Sequence, residues 1–342
     1  NNKKAHVEKA LNTVYQTDDD LYAHYVLAFG KPAGNVSGST TSWTPVINKN
    51  IGANFSVDRN DSGEFRYKYH GVDGDDIIST KYSIGGTAIS MLNRNDMHII
   101  TGEGDDIVSV GQDIGAWYGP VGADIKYFTD MGDGDDILFV GLSNESIQIN
   151  LRADGSLRAI GKDDYLSSGE IINVSGNYDS SDGGVISSTT ISMGSGDDTI
   201  LALGHSGGGN AVQNSVISLG SGNDIIQVNG SIERSHIDGG AGFDTLVISN
   251  GTIYSGSFSG FEMVELTSSG HLVLDSKDFA YDDVNRILKV TGDYGSSVDI
   301  QNFDFREGGV GHINENNTGY TTYISSDHPD MSLWIQDGVE IK

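Results

Sequence analysis

Gly71-Val72-Asp73-Gly74-Asp75-Asp76-Ile77-Ile78-Ser79 is the first of six occurrences of one nine-residue pattern. It returns as Thr101-Gly102-Glu103-Gly104-Asp105-Asp106-Ile107-Val108-Ser109 and as Met131-Gly132-Asp133-Gly134-Asp135-Asp136-Ile137-Leu138-Phe139. The later copies are Met193-Gly194-Ser195-Gly196-Asp197-Asp198-Thr199-Ile200-Leu201, Leu219-Gly220-Ser221-Gly222-Asn223-Asp224-Ile225-Ile226-Gln227 and Gly239-Gly240-Ala241-Gly242-Phe243-Asp244-Thr245-Leu246-Val247. The fourth position is always glycine, the sixth always aspartate, and the eighth Ile, Val or Leu. Successive starts lie 30, 30, 62, 26 and 20 residues apart. Self-similarity at such spacings marks a repeat array in which each repeat buries its face against the next. The long step reads as two repeats, the hidden one having lost its motif near Gly161-Lys162-Asp163-Asp164.

Each motif sits between two strand-like stretches. Three residues before its second position an apolar residue recurs at Tyr69, Ile99, Ile191, Ile217 and Ile237; the copy at 131 has Thr129 there, beside Phe128. After the aspartate, apolar residues alternate, as in Val108 and Val110, Leu138 and Val140, Ile226 and Val228, Leu246 and Ile248. Period two means half-buried strand. Columns that recur once per repeat mean strands stacked on equivalent strands, about 4.8 Å apart. The expected fold is all-β, a parallel β-solenoid with a short N-terminal helical cap, right-handed by the general rule for parallel crossovers. The glycines suit a corner that needs positive φ or close backbone approach.

The ends differ from the middle. Val7, Ala10, Leu11 and Val14 fall at helical spacing, and a second helix is framed by Thr17 or Asp18 at its start and by Gly30 and Pro32 at its stop. Residues 1–34 therefore read as the cap. Residues 35–70 read as a strand-rich lead-in, with Phe65, Tyr67 and Tyr69 alternating. The motif-bearing array runs over 71–248. Residues 249–342 keep the alternation without the motif, as in Phe261 and Met263, Leu272 and Leu274, Leu288 and Val290, and read as coils that close the far end. An uncovered end would expose sheet edge.

Charge and composition exclude several function classes. The 342 residues carry 20 Lys+Arg against 48 Asp+Glu, a net charge of −28. Nucleic acid and anionic membrane surfaces both ask for a basic face, so neither is an expected partner. There is no cysteine, which removes disulfides, thiolate metal sites and thiol catalysis. No apolar run approaches 18 residues, so no membrane span is expected, and the opening residues do not read as a secretory signal peptide.

The acidic corner is the chemistry. Calcium takes six to eight hard oxygens, carboxylate and carbonyl together. A Gly-x-Asp-Asp corner offers carboxylate plus backbone carbonyls expected to be free of the strand ladder. Stacking brings carboxylates of neighbouring repeats together, where like charges repel unless a divalent cation lies between them. The alternative is a plain Asn/Asp/Gly turn ladder. The candidate metal ligands are Gly71, Asp73, Gly74 and Asp76; Gly102, Glu103, Gly104 and Asp106; Gly132, Asp133, Gly134 and Asp136; Gly194, Gly196 and Asp198; Gly220, Gly222 and Asp224; Gly240, Gly242 and Asp244. An ion shared between neighbours needs a motif on each, so the row is expected to break at the silent repeat near 161, leaving about four to six calcium ions.

The nonapeptide resembles that of the repeats-in-toxin (RTX) family, Gly-Gly-x-Gly-x-Asp-x-U-x, over residues 70–342. It departs in keeping the first glycine only at Gly71 and Gly239, and in spacing single motifs along longer repeats instead of placing them in tandem. That spacing, with Ile237-Asp238-Gly239-Gly240-Ala241-Gly242-Phe243-Asp244-Thr245-Leu246-Val247, Phe258-Ser259-Gly260-Phe261-Glu262 and Leu288-Lys289-Val290-Thr291-Gly292-Asp293, resembles the C-terminal region of large bacterial adhesins. The resemblance implies type I secretion without a cleaved N-terminal signal, a secretion signal toward the C-terminus, and calcium-triggered folding outside the cell. It also implies a place at the bacterial cell surface, where a glycan or protein would be the adhesion partner. It carries the sixth-position aspartates over as ligands.

Other motifs weigh less. Gly204-His205-Ser206-Gly207-Gly208 matches a nucleophile elbow, but the glycines after it oppose the helix an elbow needs. Asp58-Arg59-Asn60-Asp61-Ser62-Gly63 starts like an EF-hand loop, yet its twelfth position is Tyr69, so it reads as a turn. There is no His-Glu-x-x-His, and His98 and His236 read as strand-face residues. The expected function is a non-enzymatic calcium-binding module of a secreted adhesin. The alternatives are a β-helix polysaccharide lyase or epimerase using tyrosines such as Tyr118, Tyr127 and Tyr165, an accessory module of a secreted enzyme, or a glycan- or peptide-binding module using Trp117-Tyr118-Gly119-Pro120.

Overall fold

The computed structural model describes residues 3–5, 7–8, 46–47, 54–59, 65–70, 74–80, 96–110, 114–115, 127–141, 147–152, 156–160, 169–174, 186–203, 209–275, 287–301, 305–326 and 331–342. Among them the helical residues are 3–5 and 7–8, with Val7 buried; the rest of the expected cap lies outside the described residues. Nearly everything else is strand.

The chain visits three sheets in a fixed order. The stretches leading into the motif, Asp96–Glu103, Tyr127–Asp133, Thr189–Ser192, Val216–Ser221 and His236–Ala241, pair in parallel within an eight-stranded sheet. The stretches after the sixth-position aspartate, Ile77–Thr80, Ile107–Val110, Ile137–Val140, Thr199–Ala202, Ile225–Asn229 and Thr245–Ser249, pair in parallel within a twelve-stranded sheet. Short strands Ile114–Gly115, Ile186–Ser187, Asn210–Gln213 and Ser231–Glu233 make the third.

Register follows the expected columns. Ile99, Thr129, Ile191, Ile217, Ile237 and Phe258 lie side by side. Val108, Leu138, Ile200, Ile226, Leu246 and Val264 do the same on the twelve-stranded sheet, and all are buried. Together they form one continuous core. Slipping any strand by one residue would turn its apolar column outward, which holds the register.

The long step corrects the sequence reading. It is one repeat, not two: Ile137–Val140 pairs directly with Thr199–Ala202, and Tyr127–Asp133 with Thr189–Ser192. Among the additional residues, Ile147–Arg152, Leu157–Ile160 and Gly169–Val174 form a separate antiparallel sheet. The reason lies in the parity of the neighbouring strands. Leu138 and Val140 face the main core, yet the intervening Phe139 and Leu201 are also fully buried. A strand buried on both faces loses its alternation. The insert's strand Leu157–Ile160 lies against Thr199–Ala202, its Ile149, Leu151 and Leu157 are buried, and Arg152 reaches Glu265 at 3.7 Å. Gly161–Asp164 lie outside the described residues.

Parallel stacking continues beyond the last motif through Met263–Thr267, Ile287–Gly292 and Ser332–Gln336. A further parallel sheet of Thr252–Ile253, His271–Asp275, Ser297–Gln301 and Glu340–Ile341 runs beside it. Antiparallel strands close both ends of the twelve-stranded sheet, Val46–Ile47 at one and Thr318–Ser325 with Phe305–Glu315 at the other. Reversing direction stops the parallel template from being extended.

Candidate metal centre

The motif forms the corner between the eight- and twelve-stranded sheets. Its glycines are required by how closely successive corners approach. Gly132 and Gly134 have φ of +97° and +144°, and a Cβ on them would stand 1.8 and 2.0 Å from the carbonyl oxygens of Gly102 and Gly104. No L side chain fits at either place.

Much of the corner backbone is already paired, which corrects the expectation of freed carbonyls. The third-position carbonyl accepts the fourth-position N–H of the preceding repeat, as in Gly104 N to Asp133 O at 2.8 Å and Gly134 N to Ser195 O at 2.7 Å. The sixth-position carbonyl accepts an N–H from the following repeat, as in Ile137 N to Asp106 O at 2.9 Å and Thr199 N to Asp136 O at 2.8 Å. The ladder simply continues through the bend, because a buried carbonyl without a partner is costly.

Inside the corner the sixth-position aspartates form an unbroken row. Asp76 donates its N–H to Oδ1 of Asp106 at 2.7 Å, and Asp106 donates to Asp136 at 2.8 Å. Asp136 donates to Asp198 at 2.8 Å, Asp198 to Asp224 at 2.8 Å, and Asp224 to Asp244 at 2.8 Å. All six side chains are buried, at 0–1 % exposure. The row crosses the 62-residue step through Asp136 and Asp198, so the expected break near 161 is absent.

A second row runs outside it with opposite polarity. Oδ1 of Asp75 accepts the N–H of Asp105 at 3.2 Å, Asp105 that of Asp135 at 3.1 Å, Asp135 that of Asp197 at 2.9 Å, and Asp197 that of Asn223 at 2.7 Å. These fifth-position residues are exposed. Of the third-position acids, Glu103 and Asp133 are exposed and Asp133 accepts the Ser195 hydroxyl at 2.6 Å. Gly71 and Asp73 lie outside the described residues.

The inner row is electrostatically loaded. Burial pushes Asp106 up to about 6, Asp224 to about 7, Asp198 to about 8 and Asp136 to about 9. The hydrogen bond from the preceding aspartate opposes this, joined at Asp106 by the Thr101 side chain, and the neighbouring carboxylates add to it. Oδ1 of each takes an N–H, whereas Oδ2 of Asp106, Asp136, Asp198 and Asp224 is buried with no hydrogen-bond partner. No basic side chain among the described residues pairs with these four. A carboxylate so placed must hold a proton or meet a cation.

Carboxylates alone do not complete an ion's shell. Among the described residues no three His, Cys, Asp or Glu side chains converge on one point. The buried carboxylate oxygens are hard donors, the kind a hard cation takes and softer metals do not.

One member of the row was missed in the sequence. Asp244 donates its N–H to Oε2 of Glu262 at 2.7 Å, and Glu262 is buried. The signal was legible: Gly260 lies two residues before Glu262 and Val264 two after, the spacing of every motif, with glutamate in place of aspartate. His98 and His236 sit on strands. His98 packs edge-on to Phe128 at 5.8 Å, and Nε2 of His236 lies 2.9 Å from the Ser259 hydroxyl. Ser206, Trp117, Tyr118 and Tyr165 lie outside the described residues.

No family model, curated protein or solved structure matches the chain.

Proposed function

We propose that this chain is a calcium-binding, right-handed parallel β-solenoid of the repeats-in-toxin type, serving without catalysis as a structural or cell-surface segment of a secreted bacterial adhesin. The single observation that carries the reading is the set of buried carboxylate oxygens at Asp106, Asp136, Asp198 and Asp224 that have no hydrogen-bond partner. The sixth-position carboxylates, with Asp76 and Asp244 at the ends, and carbonyls of the fourth-position glycines would hold the ions. A bound ion supplies positive charge where the fold has stacked negative charge in a dry corner. Because that corner exists only when repeats are stacked, ion binding and folding are one process.

The adhesin part of the proposal rests on the resemblance and on chemistry. A protein that needs calcium in this way folds where calcium is abundant, outside the cell, and stays extended for export where it is scarce. The type I secretion machinery and a surface glycan or protein are the partners this implies. A net charge of −28, from 48 Asp+Glu against 20 Lys+Arg, would help keep such a chain soluble.

The test is far-UV circular dichroism of the chain in chelator and after adding calcium or magnesium. The expected result is a cooperative gain of β signal with calcium, and little with magnesium, whose octahedral geometry is stricter. An unchanged spectrum and melting curve in chelator at neutral pH would refute it.

A further inference from the structure

The buried row continues one step past the last motif. Asp244 donates to Glu262 at 2.7 Å just as Asp224 donates to Asp244 at 2.8 Å. In return the N–H groups of Glu262 and Met263 reach the Asp244 carbonyl at 3.2 and 3.1 Å. Met263 pairs with Thr245, so Glu262 lies in register with Asp244.

Three features separate Glu262 from the aspartates before it. The next repeat brings Leu288, not a carboxylate, to this register, because Met263 pairs with Lys289. Its corner has another shape: Gly260 has φ +68°, against +119° to +145° for the fourth-position glycines from Gly74 to Gly242. A Cβ on Gly260 would strike Oδ1 of Asp238 at 2.7 Å, not the stacked glycine carbonyl that lines the other corners. The outer row has also ended, its last bond running from Phe243 N–H to Asn223 Oδ1 at 3.1 Å, and the residue beside Glu262 is the buried Phe261.

We propose that Glu262 is the end-stop of the carboxylate row. It is a positioning residue: it accepts the N–H of Asp244 and so holds the Asp244 carboxylate in line with Asp224 without binding an ion itself. The effect on ion count rests on the calcium reading, whereas the bond to Asp244 does not.

The experiment uses the full chain with Glu262→Gln, which keeps an acceptor oxygen and loses the charge, and Glu262→Leu, which loses both. Amide exchange at Asp244 and the number of calcium ions bound are read for each. Glu262→Gln is expected to match the unaltered chain in both. Glu262→Leu is expected to exchange the Asp244 amide about tenfold faster or more and to bind one ion fewer. Loss of an ion in Glu262→Gln with the amide still protected would make Glu262 a ligand and overturn the end-stop. Unchanged exchange in Glu262→Leu would overturn it as well. If the unaltered chain binds no calcium, the calcium reading fails while the exchange comparison, made in chelator at pH 5, still decides the role of Glu262. Glu262→Ala replaces the leucine variant should that variant not fold.

Discussion

Without a bound cation the chain's stability is expected to depend on pH in an unusual direction. Ordinary carboxylates gain partners on folding and protect a protein as pH rises. Here burial raises Asp106, Asp224, Asp198 and Asp136 from 3.8 to about 6, 7, 8 and 9. A raised carboxyl gives its full stability below the unfolded value and loses it as pH climbs toward the folded value. At about 1.4 kcal/mol per pH unit, each of the four costs on the order of 1–2 kcal/mol at pH 5 and several kcal/mol at pH 8. Several such costs are comparable with the whole stability of a typical domain, about 5–15 kcal/mol. The metal-free chain is therefore expected to keep β structure near pH 5 and to lose it between pH 6 and 8, with calcium restoring it at pH 8. Thermal melts by circular dichroism in chelator across pH 5–8, repeated with calcium, check this. A metal-free chain as stable at pH 8 as at pH 5 would refute the reasoning, because the carboxylates would then not be carrying unpaired charge in the corner.

Three further outcomes are expected. Asp136→Asn keeps the Oδ1 acceptor and removes the charge, so it should stabilise the chelated chain at pH 7 by about 1–3 kcal/mol, the relieved ionisation cost less that of an orphaned amide. With calcium present it should weaken binding more than Asp76→Asn at the row's end; calorimetric titration and melting of both variants check the opposite signs. Gly134→Ala puts a Cβ 2.0 Å from the Gly104 carbonyl at φ +144° and should cost about 3 kcal/mol or more, with or without calcium, in melting experiments. Leu201→Ala opens a cavity under the inserted sheet and away from the corner, so it should lower stability by about 2–5 kcal/mol while leaving the number of bound ions unchanged.

The repeating part of the fold was readable because each signal there is local and recurs. Ile99, Ile191, Ile217 and Ile237 announce a column that the register then contains. The inserted sheet was not readable from spacing, since 62 residues admit one repeat with an excursion as easily as two repeats. What speaks against a hidden repeat is Ile137-Leu138-Phe139-Val140 and Ile200-Leu201-Ala202, apolar at both parities, which calls for cover on the outer face. At the corner, the recurring glycine and aspartate positions indicated stacking, but not that the ladder would run on through the bend and engage the carbonyls. That depends on φ values near +97° to +145°, which no pattern of residue types reports. Glu262 was passed over because the pattern was held to aspartate at the sixth position, although its glycine and apolar neighbours kept their places.

The central claim, that the inner row holds calcium between successive repeats, is tested most directly by counting. The chelated chain is titrated with calcium at pH 7.5, with bound ion and β signal followed together. The row joins Asp76, Asp106, Asp136, Asp198, Asp224 and Asp244 without a gap, giving five intervals. Five ions per chain, taken up as the β signal appears, is the expected result. Four would place a break between Asp136 and Asp198 after all, and no saturable uptake, or a β signal already complete before calcium is added, would contradict the claim itself.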